Sequence, residues 1–177
     1  EQMFINFAVA SAQLAQLKAM DKNYEEAIRR MEIALRLDPT LKAGTVLLGT
    51  YFMMAGQDQK AIDHYVEAIR HEPTEGEYWL RLARIYEFKD QLPFALQNLG
   101  EGIRLAPDAR ALYIDAFRVA ARSGDAGKAK DFLRRWLERH PDDQEMRNIF
   151  DNADRLLEDE FGLSPDGAAK EAKAGSS

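Results

Sequence analysis

The chain of 177 residues contains no cysteine. That excludes a disulfide scaffold, thiolate zinc sites, iron–sulfur clusters and a cysteine nucleophile. It leaves the compartment open between the cytoplasm, slightly favoured, and the periplasm, because a chain without thiols suits both. Histidine is scarce, at three residues. His64 and His71 stand seven apart on one expected helix, too far to share a metal as an i, i+4 pair would. They and His140 are expected at the surface of second helices. Long apolar runs are also missing. Residues 2–17 are uncharged but span 16 positions and include three Gln, an Asn and a Ser, and Gly44–Gly56 spans 13. Both fall short of the roughly 18–20 apolar residues that a bilayer demands, so direct membrane insertion is not expected. The first residue is Glu1 rather than Met, and what stands upstream of it the sequence does not say.

There is no excess of positive charge either. The 24 Lys and Arg face 30 Asp and Glu, for a net charge of −6. Residues 142–177 hold ten of the acidic and four of the basic side chains, so the whole −6 sits there and residues 1–141 balance. A basic footprint for nucleic acid is absent, and the acidic end would repel phosphate. No H-E-x-x-H, G-x-G-x-x-G, Walker loop or G-x-S-x-G occurs. Gly100-Glu101-Gly102 is embedded in a helical run with no strand before it, unlike a dinucleotide loop. The acidic pairs Glu25-Glu26 and Asp142-Asp143 fall at helix starts, where the macrodipole accounts for them. No catalytic, cofactor-binding or metal-binding residue is nominated, and an enzyme is not expected.

What the sequence does contain is a repeat. Pro39, Pro73, Pro107 and Pro141 are spaced by 34 residues each time. Twelve residues before each stands an alanine: Ala27, Ala61, Ala95 and Ala129. Four residues after each alanine comes a bulky apolar residue: Met31, Tyr65, Leu99 and Leu133. The first halves align as well. Trp79-x2-Leu82-Ala83-x2-Tyr86 matches Thr45-x2-Leu48-Gly49-x2-Phe52, Ser11-x2-Leu14-Ala15-x2-Lys18 and Tyr113-x2-Ala116-Phe117-x2-Ala120. Spacings of three and four place these residues on one helical face. A turn comes next in each copy: Asp21-Lys22-Asn23, Gly56-Gln57-Asp58, Lys89-Asp90-Gln91 and Ser123-Gly124-Asp125. A second amphipathic run then ends near the proline, which cannot continue a helix.

This pattern resembles the tetratricopeptide repeat (TPR), a 34-residue helix–turn–helix unit. The resemblance covers about residues 8–141 and implies an all-α, right-handed superhelical solenoid, in which neighbouring pairs bury faces that one pair cannot bury alone. The expected order is an apolar extension of the first helix over 1–7, repeats over 8–41, 42–75, 76–109 and 110–142, a capping helix over 143–160 and a flexible tail over 161–177. Met146, Ile149, Phe150, Ala153, Leu156 and Leu157 form the cap's apolar stripe, with Trp136 expected beneath it. Ser11 and Lys18 depart from the large side chains usual in the first copy. At the other end, Met3, Phe4, Ile5, Phe7, Val9, Leu14, Leu17 and Met20 wrap most of the first helix. Either the segment folds back on the first copy, or it is an open end that meets a partner or a second copy.

In the TPR family the first helix of each pair lines a concave face. Alignment puts Val9, Ala12, Gln13, Gln16, Ala19 and Met20 there in the first copy. The second offers Ala43, Val46, Leu47, Thr50, Met53 and Met54, the third Glu77, Leu80, Arg81, Arg84, Glu87 and Phe88, and the fourth Ala111, Ile114, Asp115, Arg118, Ala121 and Arg122. From these, Val46, Leu47, Thr50, Met53, Met54, Leu80, Arg81, Arg84, Phe88, Arg118 and Arg122 are nominated as a partner-binding groove. The apolar side of a partner would rest on the second copy, and its acidic side on the arginines, with Arg84 and Arg118 facing solvent. The alternative is that Met and Leu are core and the arginines form pairs within their own helices with Glu77, Glu87 and Asp115. The family's two-carboxylate clamp for chaperone tails is rejected, since only Arg81 suits it in either frame. The resemblance thus implies a non-catalytic adaptor or scaffold with a protein or peptide partner and no cofactor. The other reading is an architectural subunit docked through Met3, Phe4 and Phe7, as a homo- or hetero-oligomer.

Overall fold

The computed structural model describes residues 2–164 and is helical almost throughout. Eight helices come first, two to each 34-residue copy: α1 (Gln2–Met20) and α2 (Tyr24–Leu37), α3 (Lys42–Met54) and α4 (Asp58–His71), α5 (Gly76–Phe88) and α6 (Leu92–Leu105), and α7 (Arg110–Arg122) and α8 (Ala126–Arg139). Two short helices come last, α9 (Gln144–Asp151) and α10 (Ala153–Phe161). The second helices start at 24, 58, 92 and 126, and α3, α5 and α7 start at 42, 76 and 110. Both series keep the period of 34.

The period reaches down to single backbone angles. Lys22, Gly56, Asp90 and Gly124 occupy the same place in the four turns, and all have positive φ, at 58°, 71°, 56° and 86°. This left-handed residue ends the first helix and reverses the chain. The next residue caps the second helix. Asn23 and Asp125 accept a hydrogen bond from the N–H three residues on, at 3.2 and 2.8 Å, whereas Gln57 and Gln91 supply no side-chain cap. The residue before each repeat proline has left the helical region, as a following proline favours, and its N–H closes the helix on the carbonyl four residues back. Past the proline, Trp79 Nε1, Tyr113 Oη and an Arg147 guanidinium nitrogen donate to the carbonyls of Pro73, Pro107 and Pro141, six residues behind each. The counterpart after Pro39 is Thr45, whose side chain is much shorter.

The chain divides into two compact units, one ending at Ile85 and the other beginning at Tyr86, within α5. In the first unit, α1 meets α2 through small residues: Ala8, Ala15, Ala27 and Ala34 are fully buried, with Met31 among them. Alanine contact lets two helices approach closely without voids. In the α3–α4 pair, a Cβ at Gly49 would run into the ring of Tyr65. The buried Tyr65 hydroxyl donates to the Val46 carbonyl at 2.8 Å. His64 is half-buried rather than at the surface as expected. Its Nε2 lies 2.8 Å from the Thr45 carbonyl, and its ring meets Phe52 edge-on. The first helix does not fold back. Residues 2–7 continue α1 as one helix, and Met3, Phe4, Ile5 and Phe7 are exposed.

In the second unit Leu99, Leu112, Leu133, Met146 and Leu157 are fully buried. Trp136 is 5% exposed. It donates from Nε1 to Asp143 at 2.9 Å, meets Tyr113 edge-on, and stacks on His140 at 3.8 Å between ring centroids. His140 is therefore a packing residue as well as a rim one. Asp143 also caps α9 through the Met146 N–H. That bond, joined by those from Trp136 and the charge of Arg110, holds the Asp143 carboxyl below its ordinary pKa.

The cap differs from the single helix expected over 143–160. It breaks at Asn152, whose side-chain amide donates to the Asn148 carbonyl at 2.7 Å, while the chain turns there. Met146, Ala153 and Leu157 of the expected stripe are fully buried. Ile149, Phe150 and Leu156 are only partly covered. The end also lies later than expected. Gly162 adopts a left-handed φ of 67°, and the N–H groups of Gly162 and Leu163 return to the carbonyls of Glu158 and Leu157. Leu163 is 5% exposed, as the apolar contact of such a closing motif requires. The remainder of the expected tail, 165–177, lies outside the described residues.

Candidate functional site

The nominated residues fall in both units, and each group is described within its own. On α3 the sequence Lys-Ala-Gly-Thr-Val-Leu-Leu-Gly-Thr-Tyr-Phe-Met-Met has no charge after Lys42. One edge of this helix is buried through Leu48, Tyr51 and Phe52. The other presents Ala43, Val46, Leu47, Thr50, Met53 and Met54, spaced by three and four. Ala43 and Met54 are exposed and the four between are half-buried. The Thr50 hydroxyl donates to the Val46 carbonyl at 2.9 Å, which satisfies it within the helix.

A cleft of about 440 Å³ opens beside this stripe, lined by Lys42, Ala43, Val46, Leu47, Glu75, Glu77 and Tyr78. Its wall is apolar and its rim charged. Lys42 Nζ lies 2.6 Å from Glu72 and 2.8 Å from Glu75, and these carboxylates raise its pKa further above the neutral range. Arg81 Nε donates to Glu77 at 2.7 Å. Leu80, nominated for the groove, is not part of it. It is 3% exposed and belongs to the core, because its place on α5 turns toward the packed side rather than the open one. Arg84 is exposed and has a contact of its own.

The arginines of the second unit are engaged. Arg118 donates to both Glu87 oxygens, at 2.9 and 2.8 Å, and lies 3.4 Å from Asp115. Arg122 reaches Glu87 at 2.8 Å and Asp90 at 3.3 Å. Glu87 and Asp115 are 7% and 5% exposed. Arg118 thus does not simply face solvent, as expected. Buried carboxylates demand cations, and these two arginines supply them. Phe88 remains 78% exposed, and Phe94, which no motif in the sequence singled out, is 53% exposed and stacked on Tyr86. Among the described residues no group of three or more His, Asp and Glu is arranged to hold a metal, and no helix is long and apolar enough to cross a membrane.

Known structures share this architecture. The chain is similar to the crystal structure of MamA, with 18% identity over 86% of this chain and 88% of the other, at a TM-score of 0.59. A tetratricopeptide repeat protein from Parabacteroides merdae matches with 16% identity over 89% of this chain and 68% of its own, at a TM-score of 0.62. The fold is that of the tetratricopeptide repeat. YrrB, described as a TPR protein with an unusual peptide-binding site, matches at 19% identity over 80% of this chain and 73% of its own, with a TM-score of 0.56. No family model and no curated protein sequence matches the chain. The 34-residue period is the signature of the TPR fold.

Proposed function

We propose that the chain is a non-catalytic TPR adaptor or scaffold that holds a peptide or helix of a protein partner. The observation that carries this reading is the uncharged stripe of α3 beside its cleft. Val46, Leu47, Thr50, Met53 and Met54 offer apolar and adaptable contacts that the α3–α4 pair leaves uncovered. A cleft with apolar walls and a few fixed charges at its rim is the ordinary form of a recognition site. The peptide-binding site named for YrrB supports the same reading by analogy. The arginines count less than the sequence suggested, since Arg81, Arg118 and Arg122 each have a carboxylate partner. The test is affinity capture with the wild-type chain beside Leu47→Asp. Proteins held by the first and lost by the second are the expected result. Identical captured sets would sink the reading.

A second reading, an architectural subunit, draws on α1. Met3, Phe4, Phe7, Leu17 and Met20 are between 55% and 79% exposed. An exposed apolar patch of this extent marks an interaction surface. Light scattering across protein concentration tests it. Assembly that disappears when residues 1–7 are removed is the expected outcome, and a monomer at all concentrations that captures no partner through α1 opposes it.

A further inference from the structure

The α3 cleft has a charge, and it is the reverse of the one expected for a groove rich in arginine. Its lining carries two carboxylates, Glu75 and Glu77, against one cation, Lys42. Including the ion-pair partners Glu72 and Arg81 leaves three carboxylates against two cations, so the excess is one negative charge either way. Both cations already have carboxylate partners. Lys42 is shared between Glu72 and Glu75, and Arg81 is held by Glu77. The carboxylates are not saturated. Each offers about four lone-pair positions. Glu77 gives one oxygen to Arg81, and Glu75 gives one to Lys42. Their side chains are 37% and 30% exposed at the mouth.

We propose that this cleft takes a basic, apolar segment of a partner protein: a large apolar side chain against Val46 and Leu47, with a Lys or Arg beside it on Glu75 and Glu77. The inference rests on the reading of α3 as the binding face and adds the chemistry of what binds. An acidic segment would bring like charge to the rim, which selects against it in both affinity and association rate. A second copy bound through α1 fits less well, because α1 carries no cation from residue 2 to residue 17. A charge-assisted bond to a carboxylate beside an apolar wall also fixes the direction of the bound segment.

The experiment is selection of a random dodecapeptide display library on the full chain. The Leu47→Asp and Ala43→Arg variants are run in parallel. Ala43 is exposed at the rim, so its replacement tests the cleft even where Leu47→Asp disturbs folding, which circular dichroism reads. The expected winners join Leu, Ile, Met or Phe to a neighbouring Lys or Arg and are poor in Asp and Glu. Synthesised as labelled peptides, they lose at least tenfold in affinity to the folded cleft variants. They lose severalfold to the double variant Glu75→Gln, Glu77→Gln, and that loss shrinks as salt is raised. Winners that depend on the cleft but are acidic or uncharged overturn the inference and leave the interaction reading standing. The absence of any peptide sensitive to Leu47→Asp or Ala43→Arg overturns both. Self-association of the chain that Ala43→Arg abolishes overturns the inference by putting a second copy in the cleft.

Discussion

Arg118 grips Glu87 with two parallel hydrogen bonds, across 31 residues of sequence. Glu87 is 7% exposed, so it depends on this partner and on Arg122. Arg118→Glu is therefore a stability mutation. Breaking a buried pair costs roughly 3–5 kcal/mol, and about 2 kcal/mol is expected here because the arginine end is half-exposed. Arg118→Glu with Glu87→Gln should recover part of it. Urea melts decide, and an unchanged midpoint for Arg118→Glu would show that the pair does not matter.

The turn positions predict a gain. Lys22 holds the left-handed conformation that glycine holds at Gly56 and Gly124. A non-glycine residue there carries a strain of roughly 1–2 kcal/mol, so Lys22→Gly should stabilise the chain by about 1 kcal/mol net of glycine's backbone entropy. Lys22→Ala keeps the strain and should do little. Equal melts for the two variants would remove this explanation.

The cap predicts a loss. Trp136→Ala removes a buried ring and the bond to Asp143, for roughly 3–5 kcal/mol. A loss below about 1 kcal/mol would place the ring outside the core. Two truncations locate the end of the cap. A chain ending at Ser164 keeps Leu163 and should melt like the full chain. One ending at Phe161 loses the buried Leu163 and should be less stable by about 2 kcal/mol.

His64 predicts a pH dependence. Burial lowers its pKa below the ordinary 6.5, while its bond to the Thr45 carbonyl and the charge of Glu32 act in the opposite direction. The unfolded chain then takes up the proton first. Stability is full above about pH 6.5 and falls as the pH drops through the folded pKa. His64→Phe should flatten the stability curve between pH 7 and pH 5. Parallel curves for the two proteins would show that His64 is not responsible.

The repeat was legible because each of its marks is a local demand of the backbone. Proline stops a helix, alanine lets one approach, and a turn needs a residue that tolerates positive φ. Those demands are visible in single residues. The break at Asn152 was not, because the apolar spacing runs straight through it. Leu80 was misplaced because alignment gives a face but not how far that face is buried. Arg118 looked free because its main partner is 31 residues away, beyond any helical spacing. Pairing within one helix holds for Arg81 with Glu77 and for Arg118 with Asp115, whereas Glu87 is paired from another helix, by Arg118 and Arg122.

The bonds from Trp79, Tyr113 and Arg147 to the prolines six residues before them have an evolutionary consequence. Each of these three junctions is written into seven consecutive residues, so it travels with the gene segment that encodes it. A duplication or deletion of 34 codons at these points carries a working junction with it. An insertion of one codon between proline and donor separates the two and is expected to be purged. An array of this kind grows and shrinks by whole copies, and its length in related genomes should change in steps of 34.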